Sequence, residues 1–238
     1  MEKKIIGAFL FVFLVLVFGS SGCTGPLSSP TSQTQLTTIN PSKETYQDES
    51  NNLSRPSSVQ EAQAVPILYY HSVMQENGNE VRMPPEQFEA QMDFLKDQGY
   101  QSVTLEQLYL AFYKGGGLPA KPFVITLDDG YEDNYSTAFP ILKKHGFTAT
   151  VFMVTSYING EGFMSWPQLK ELVANGWEIE GHTTSHPYLT KMDSPTVLSE
   201  LHLSKELLEK ELGRPVDFFA YPYGDLNANV VQALKDTG

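Results

Sequence analysis

Cysteine is nearly absent from this 238-residue chain, where Cys23 is the only one. A single thiol excludes an intramolecular disulfide and any cysteine-cluster metal site, so burial has to hold the fold together. Positive charge is scarce too, with 16 Lys and Arg against 28 Asp and Glu and a formal net charge of −12. Nearly all of that excess lies beyond residue 64, because the earlier residues set Lys3, Lys4, Lys43 and Arg55 against only five acidic side chains. A domain this negative lacks the basic footprint that phosphate backbones require, which argues against nucleic acid as a partner. Long hydrophobic runs are missing as well: the apolar stretch 5–18 is 14 residues long, short of the about 20 that span a bilayer. What remains is 41% apolar and 12% aromatic with 18% charged residues. That composition supplies one core of about 150 to 200 residues and excludes disorder of the whole chain.

Lys3 and Lys4, the apolar run behind them and the small residues that follow read as an export segment over 1–23. Gly19-Ser20-Ser21-Gly22-Cys23 resembles a lipoprotein processing site, in which cleavage leaves Cys23 to receive lipid and to anchor the protein in the membrane. An uncleaved N-terminal anchor and ordinary cleavage nearby are the other readings, and all three place the remainder outside the cytoplasm. Residues 24–64 contain 14 Ser or Thr, four Pro and only eight apolar residues, too few to offset the entropy of ordering them. They are expected to form a disordered tether in front of a domain over 65–238.

From residue 65 onward, short apolar runs alternate with longer amphipathic stretches. Strands are predicted over 67–71, 101–103, 123–127, 148–154, 177–181 and 216–221. Helices are predicted behind Pro85 with Gly99 as the stop, after Thr104 with Gln107 as its capping-box partner, and over 135–145 with an interruption or a late start at Pro140. Three more should begin at Ser165, at Ser194-Pro195 and near Asn227, the second carrying Leu198, Leu201, Leu208 and Leu212 on one side. Strict alternation implies an α/β fold with a parallel sheet and right-handed crossovers. A distorted (β/α) barrel is favoured, incomplete at its C-terminal end because six strands fall short of closure; an open sheet is the alternative.

In such architectures the loops after the strands carry the chemistry. His71 follows the first strand, Asp128-Asp129-Gly130 the third, His182-Thr183-Thr184-Ser185-His186-Pro187 the fifth, and Pro222-Tyr223-Gly224 the sixth. His182 and His186, four residues apart on a helical turn or a tight loop, suit a divalent metal. An oxygen ligand from Asp128 or Asp129 would complete the set. One of these carboxylates can bind the cation while its neighbour takes a proton from water. His145 and His202 read as structural, Tyr69 and Tyr70 as packing residues, and Trp166 and Trp177 as core. Each signal alone has a bland reading, such as a solvated Asp-Asp-Gly turn; their shared position on one rim carries the argument.

Thr126-Leu127-Asp128-Asp129-Gly130, then Gly181-His182-Thr183-Thr184-Ser185-His186-Pro187, then Tyr221-Pro222-Tyr223-Gly224 resemble the motifs of the polysaccharide deacetylase family, the NodB-homology or carbohydrate esterase 4 group. The segment Pro66-Ile67-Leu68-Tyr69-Tyr70-His71-Ser72-Val73 is similar to the branch of biofilm poly-N-acetylglucosamine deacetylases, in which the strand bearing the acid histidine comes first. The resemblance implies that Asp129, His182 and His186 hold a divalent metal, zinc or another transition ion. It implies Asp128 as general base, the Tyr223 backbone N–H as oxyanion donor and protonated His71 as the acid toward the departing amine. An N-acetylated polysaccharide at the cell surface would then be the substrate. Two departures stand out. Ala220 occupies a position where many relatives carry an arginine that tethers the base, and the usual C-terminal Leu-x-His motif is absent, which assigns the acid role to His71 or to a residue beyond 238. Rival expectations are a glycan-binding module that no longer turns over and a metal hydrolase of a non-sugar amide.

Overall fold

The computed structural model describes residues 64–76 and 78–238. The export segment, Cys23 and nearly all of the tether lie outside the described residues. Among the described residues, no helix is long and apolar enough to cross a membrane.

The chain alternates strand and helix as its periodicity predicts. Strand β1 (Ile67–Tyr70) leads to α1 (Pro85–Asp97), β2 (Gln101–Ser102) to α2 (Leu105–Lys114), and β3 (Pro122–Asp129) to α3 (Phe139–His145). Then β4 (Thr150–Met153) is followed by α4 (Trp166–Ala174) and β5 (Glu178–Gly181) by α5 (Ser194–Leu212), with α6 (Ala228–Thr237) last. Every strand pairing is parallel. The order is β1-β3-β4-β5, and β2 attaches to the first residues of β3. All eight residues of β3 are buried, as a strand covered on both faces must be. Phe123, Ile125 and Leu127 pack with Phe88 and Met92 of α1, Leu142 of α3, Leu169 and Leu172 of α4, and Trp177. A smaller apolar cluster of Leu189, Val197, Leu201, Val230 and Ala233 joins α5 to α6.

The helix boundaries follow local chemistry. At α2, Thr104 Oγ1 accepts from the Gln107 N–H at 3.1 Å and Gln107 Oε1 accepts from the Thr104 N–H at 3.0 Å, the reciprocal cap expected from sequence. Before α3, Pro140 cannot donate a backbone hydrogen bond, and the preceding residues Asn134–Ala138 widen into a π-type turn in which the Phe139 N–H reaches back to the Asn134 carbonyl. In α5 the buried side is Val197, Leu201, Ser204 and Leu208; Leu198 is exposed, contrary to the expected stripe.

The expected sixth strand is reduced to a single bridge between Gly181 and Phe219. The Asp217 and Phe218 N–H groups donate to the Glu180 carboxylate, both at 2.9 Å, so a side chain takes the donors that a longer ladder would have used. Among the described residues the sheet is therefore open, with β1 and β5 at its edges.

Candidate active site and metal centre

The register of the sheet brings the strand ends level. Tyr70 lies opposite Leu127, Asp129 opposite Met153, and Met153 opposite Gly181. The residues next along the chain, His71 and His182, therefore emerge on the same rim as Asp128 and Asp129.

Two adjacent strand residues ordinarily point to opposite faces of a sheet. Asp129 escapes this rule because its φ of 71° lies in the left-handed region. Both carboxylates consequently reach one imidazole: His182 Nε2 is 3.8 Å from Asp128 Oδ2 and 3.6 Å from Asp129 Oδ1. His186 Nε2 lies 3.3 Å from the same Asp129 oxygen. Thr183, His186 and Tyr223 also have positive φ, so four of the five such non-glycine residues among those described fall at this site. Backbone strain of this kind collects where function demands a fixed geometry.

Side chains remote in sequence pin the loop between the two histidines. Glu200 of α5 accepts from the Thr184 and Ser185 N–H groups at 2.9 Å each and from the Ser185 hydroxyl at 2.8 Å. Thr183 Oγ1 accepts from the His186 N–H at 2.9 Å. The spacing of four is thus realised as a tight loop, with ring centroids 4.8 Å apart.

His182 Nδ1 is 2.8 Å from the Ala220 carbonyl. A carbonyl can only accept, so Nδ1 carries the proton and the neutral ring presents an Nε2 lone pair to the carboxylates. Burial pulls the pKa of His182 down to about 4 and lowers those of His71 and His186 as well. Asp128 is pushed well above the usual carboxylate range, first by burial and then by the charge of Asp129, while the Tyr69 hydroxyl opposes the rise. Asp128 Oδ1 and Asp129 Oδ1 are both buried and accept no hydrogen bond among the described residues.

This donor set fits a cation. The ligand atoms of Asp129, His182 and His186 lie within 4.8 Å of one another. Tetrahedral ligands held about 2.1 Å from a common centre stand about 3.4 Å apart, close to the 3.3 and 3.6 Å found here. Without a cation, lone pairs would face a buried, unpartnered carboxylate oxygen, an arrangement that costs several kcal/mol unless compensated. The nitrogen and oxygen donors suit zinc and neighbouring transition ions.

The remaining predicted site residues also come to this rim. The His71 backbone carbonyl accepts from the Asn134 amide at 2.7 Å, and its ring feels the charges of Asp129 and His186. Tyr223 sits in a turn closed by bonds from the Gly224 N–H to the Tyr221 carbonyl and from the Asp225 N–H to the Pro222 carbonyl, neither of which uses the Tyr223 N–H. Its exposed ring stacks on Tyr188 with centroids 4.0 Å apart. Tyr70 and Trp177 are buried as expected and Trp166 is only partly buried, while His145 is buried between the Ile141 carbonyl and Asp93. His202 is exposed and pairs with Glu206 in its own helix.

Tyr69 departs from its expected packing role. It is 56% exposed, and its hydroxyl lies 2.9 Å from His71 Nε2. Tyr131, Tyr188, Asn134 and Glu200 are likewise not singled out by sequence. Only Tyr69 carries a usable signal, since alternation along β1 buries Tyr70 and must turn its neighbour the other way.

Residues 115–238 match the family model described as polysaccharide deacetylase. YxkH of Bacillus subtilis (strain 168) is 37% identical over 174 residues, covering 73% of this chain and 62% of that protein. The poly-beta-1,6-N-acetyl-D-glucosamine N-deacetylase of Staphylococcus aureus (strain MSSA476) is 31% identical over 186 residues, covering 72% of this chain and 63% of that one. The chain thus spans less than two thirds of the length of these curated relatives. The structure of the Streptococcus pyogenes deacetylase PplD in complex with acetate superposes with a TM-score of 0.69 at 29% identity, covering 73% of this chain and 80% of that one.

Proposed function

Because the chain belongs to the polysaccharide deacetylase family, we propose that it is a metal-dependent hydrolase that removes N-acetyl groups from a poly-N-acetylglucosamine-type polymer at the cell surface. The observation that carries this reading is the buried, unpartnered Asp129 oxygen within 3.3 to 3.6 Å of two imidazole nitrogens, with the Asp128 carboxylate alongside. Likeness to the staphylococcal enzyme supports the substrate class. The sequence of residues 1–23 supports export and a lipid anchor at Cys23.

Asp129, His182 and His186 would hold the cation, zinc or a related ion, which when bound supplies positive charge to polarise the acetamide carbonyl and to acidify water. Asp128, buried beside Asp129 with an Oδ1 that accepts no hydrogen bond among the described residues, takes the proton of the attacking water. The Tyr223 backbone N–H, left out of the turn's own hydrogen bonds, donates to the developing oxyanion. His71 gives a proton to the amide nitrogen as the C–N bond breaks, since that nitrogen cannot leave as an anion. The products are acetate and a glucosamine unit.

The test is acetate release from β-1,6-linked N-acetylglucosamine oligomers with and without a chelator. Release that stops with the chelator and returns with metal is expected, whereas binding without release under every metal condition sinks the proposal. Asp128→Asn should retain metal and lose nearly all turnover, while His182→Ala should lose the metal. Equal metal content in the two variants would contradict this division of roles.

A further inference from the structure

His182 and His186 are held in place by different means. His182 directly follows β5; its N–H donates to the Met153 carbonyl at 3.2 Å and its ring meets the Ala220 carbonyl. His186 belongs to no strand or helix. The loop between them takes left-handed backbone at Thr183 and at His186, with φ of 69° and 58°, which a residue bearing a Cβ adopts only where surrounding groups enforce it. The Thr183 and Thr184 carbonyls accept from the Thr155 and Ser156 N–H groups at 3.2 and 2.9 Å. The loop's own N–H groups have another partner. Those of Thr184 and Ser185 both donate to one oxygen of Glu200, Oε2, at 2.9 Å, and the Ser185 hydroxyl donates to Oε1 at 2.8 Å.

Glu200 is itself firmly placed. It lies three residues after Val197 and four before Ser204, both buried, and so on the inward side of α5. Val197 and Leu201 pack with Leu189, Val230 and Ala233, so the carboxylate is anchored by an apolar cluster that contains no metal ligand. We propose that Glu200 is a positioning residue for the cation: by drawing Thr184 and Ser185 onto one carboxylate oxygen it keeps His186 Nε2 at 3.3 Å from Asp129 Oδ1, and it thereby sets metal affinity. A cation that meets its ligands already gathered loses none of its binding free energy to ordering the loop. Without that grip the strained loop can relax and carry His186 away, whereas His182 stays with the sheet. This role rests on the metal-dependent reading above.

Zinc affinity of the full chain, measured by competition with a chelating dye, tests it in the wild type, Glu200→Ala, Glu200→Asp, Glu200→Gln and His182→Ala. Glu200→Ala is expected to weaken zinc binding by about 10- to 100-fold. Aspartate keeps the charge but is one methylene too short to reach both N–H groups, and should lose about tenfold. Glutamine loses the charge but keeps an acceptor oxygen for the two N–H groups, and its amide can donate to the Ser185 hydroxyl; it should stay within about threefold of the wild type. Unfolding in chelator is followed alongside, because a residue that only supports the fold would lower stability and leave the zinc affinity of the folded protein unchanged. Wild-type affinity in Glu200→Ala and Glu200→Asp, or a loss in Glu200→Gln as large as in Glu200→Asp, overturns the role of Glu200. If the alanine variant does not fold, the contrast between aspartate and glutamine decides the matter. Zinc binding by the wild type no tighter than by His182→Ala overturns the metal site and this role together, whereas tight zinc binding without acetate release refutes the deacetylase reading alone.

Discussion

At Asp129 and Gly130 the backbone takes two consecutive positive φ values, 71° and 84°. The first turns a second carboxylate toward the imidazoles, and the second is available at little cost only to glycine. A Cβ on Gly130 would also lie 2.1 Å from Met153 Sδ, a side chain with no free surface. Gly130→Ala is therefore expected to lower stability by about 1 to 3 kcal/mol and to weaken metal binding, because the displaced backbone carries Asp129. Urea unfolding together with a metal titration checks this, and wild-type values in both would show that the turn tolerates the change. Residue identities at the site are legible in the amino-acid order itself: Asp128, Asp129, His182 and His186 are chemically distinctive and follow strand-like runs. Tyr69 is not, because a tyrosine in an apolar run looks like every other packing aromatic until its exposure and its neighbours are known.

At the scale of elements, β5 places two acidic residues inside the protein. Glu178 is 2% exposed and Glu180 1%. Glu178 caps the start of α2, accepting from the Leu105 N–H at 2.8 Å and the Glu106 N–H at 3.0 Å, and also takes the Thr150 hydroxyl at 2.7 Å. Negative charge at a helix N-terminus complements the dipole and satisfies donors that have no partner within the helix. Glu178→Ala would strand those donors and should cost about 2 to 4 kcal/mol, with Glu178→Gln costing less because one acceptor oxygen remains. Chemical denaturation of both variants measures the difference; equal losses would mean that packing, and not hydrogen bonding, anchors α2. Glu180 shows why the sixth strand is cut down to one bridge. Its apolar run is readable, but a buried carboxylate two residues before His182 captures the Asp217 and Phe218 donors, and local periodicity says nothing about such competition. The irregular turn before α3 is readable, since a proline within a helical pattern has to disturb it.

On the scale of the whole molecule, the site is where separate segments have to be held together against the repulsion of buried acidic groups. Binding of a cation there should feed directly into global stability. At about a hundredfold excess over its dissociation constant, zinc should add about 2.7 kcal/mol, which for a domain of this size raises the unfolding midpoint by several degrees. His182→Ala should remove most of that increment. Thermal scans of both proteins with zinc and with chelator provide the check, and an equal rise in the two would place the zinc elsewhere.

The order of strands and helices, most of their boundaries and the residue types on one rim were determined by the sequence alone, since periodicity, capping and turn chemistry act over a few neighbours. The approach of His71, Asp129 and His182 depends instead on which strand ends lie level, and the twist at Asp129 and the grip of Glu200 on the histidine loop depend on groups far along the chain. Those distances were decided by the tertiary structure, because hydrogen-bond register and burial are properties of segments packed together and no single segment encodes them.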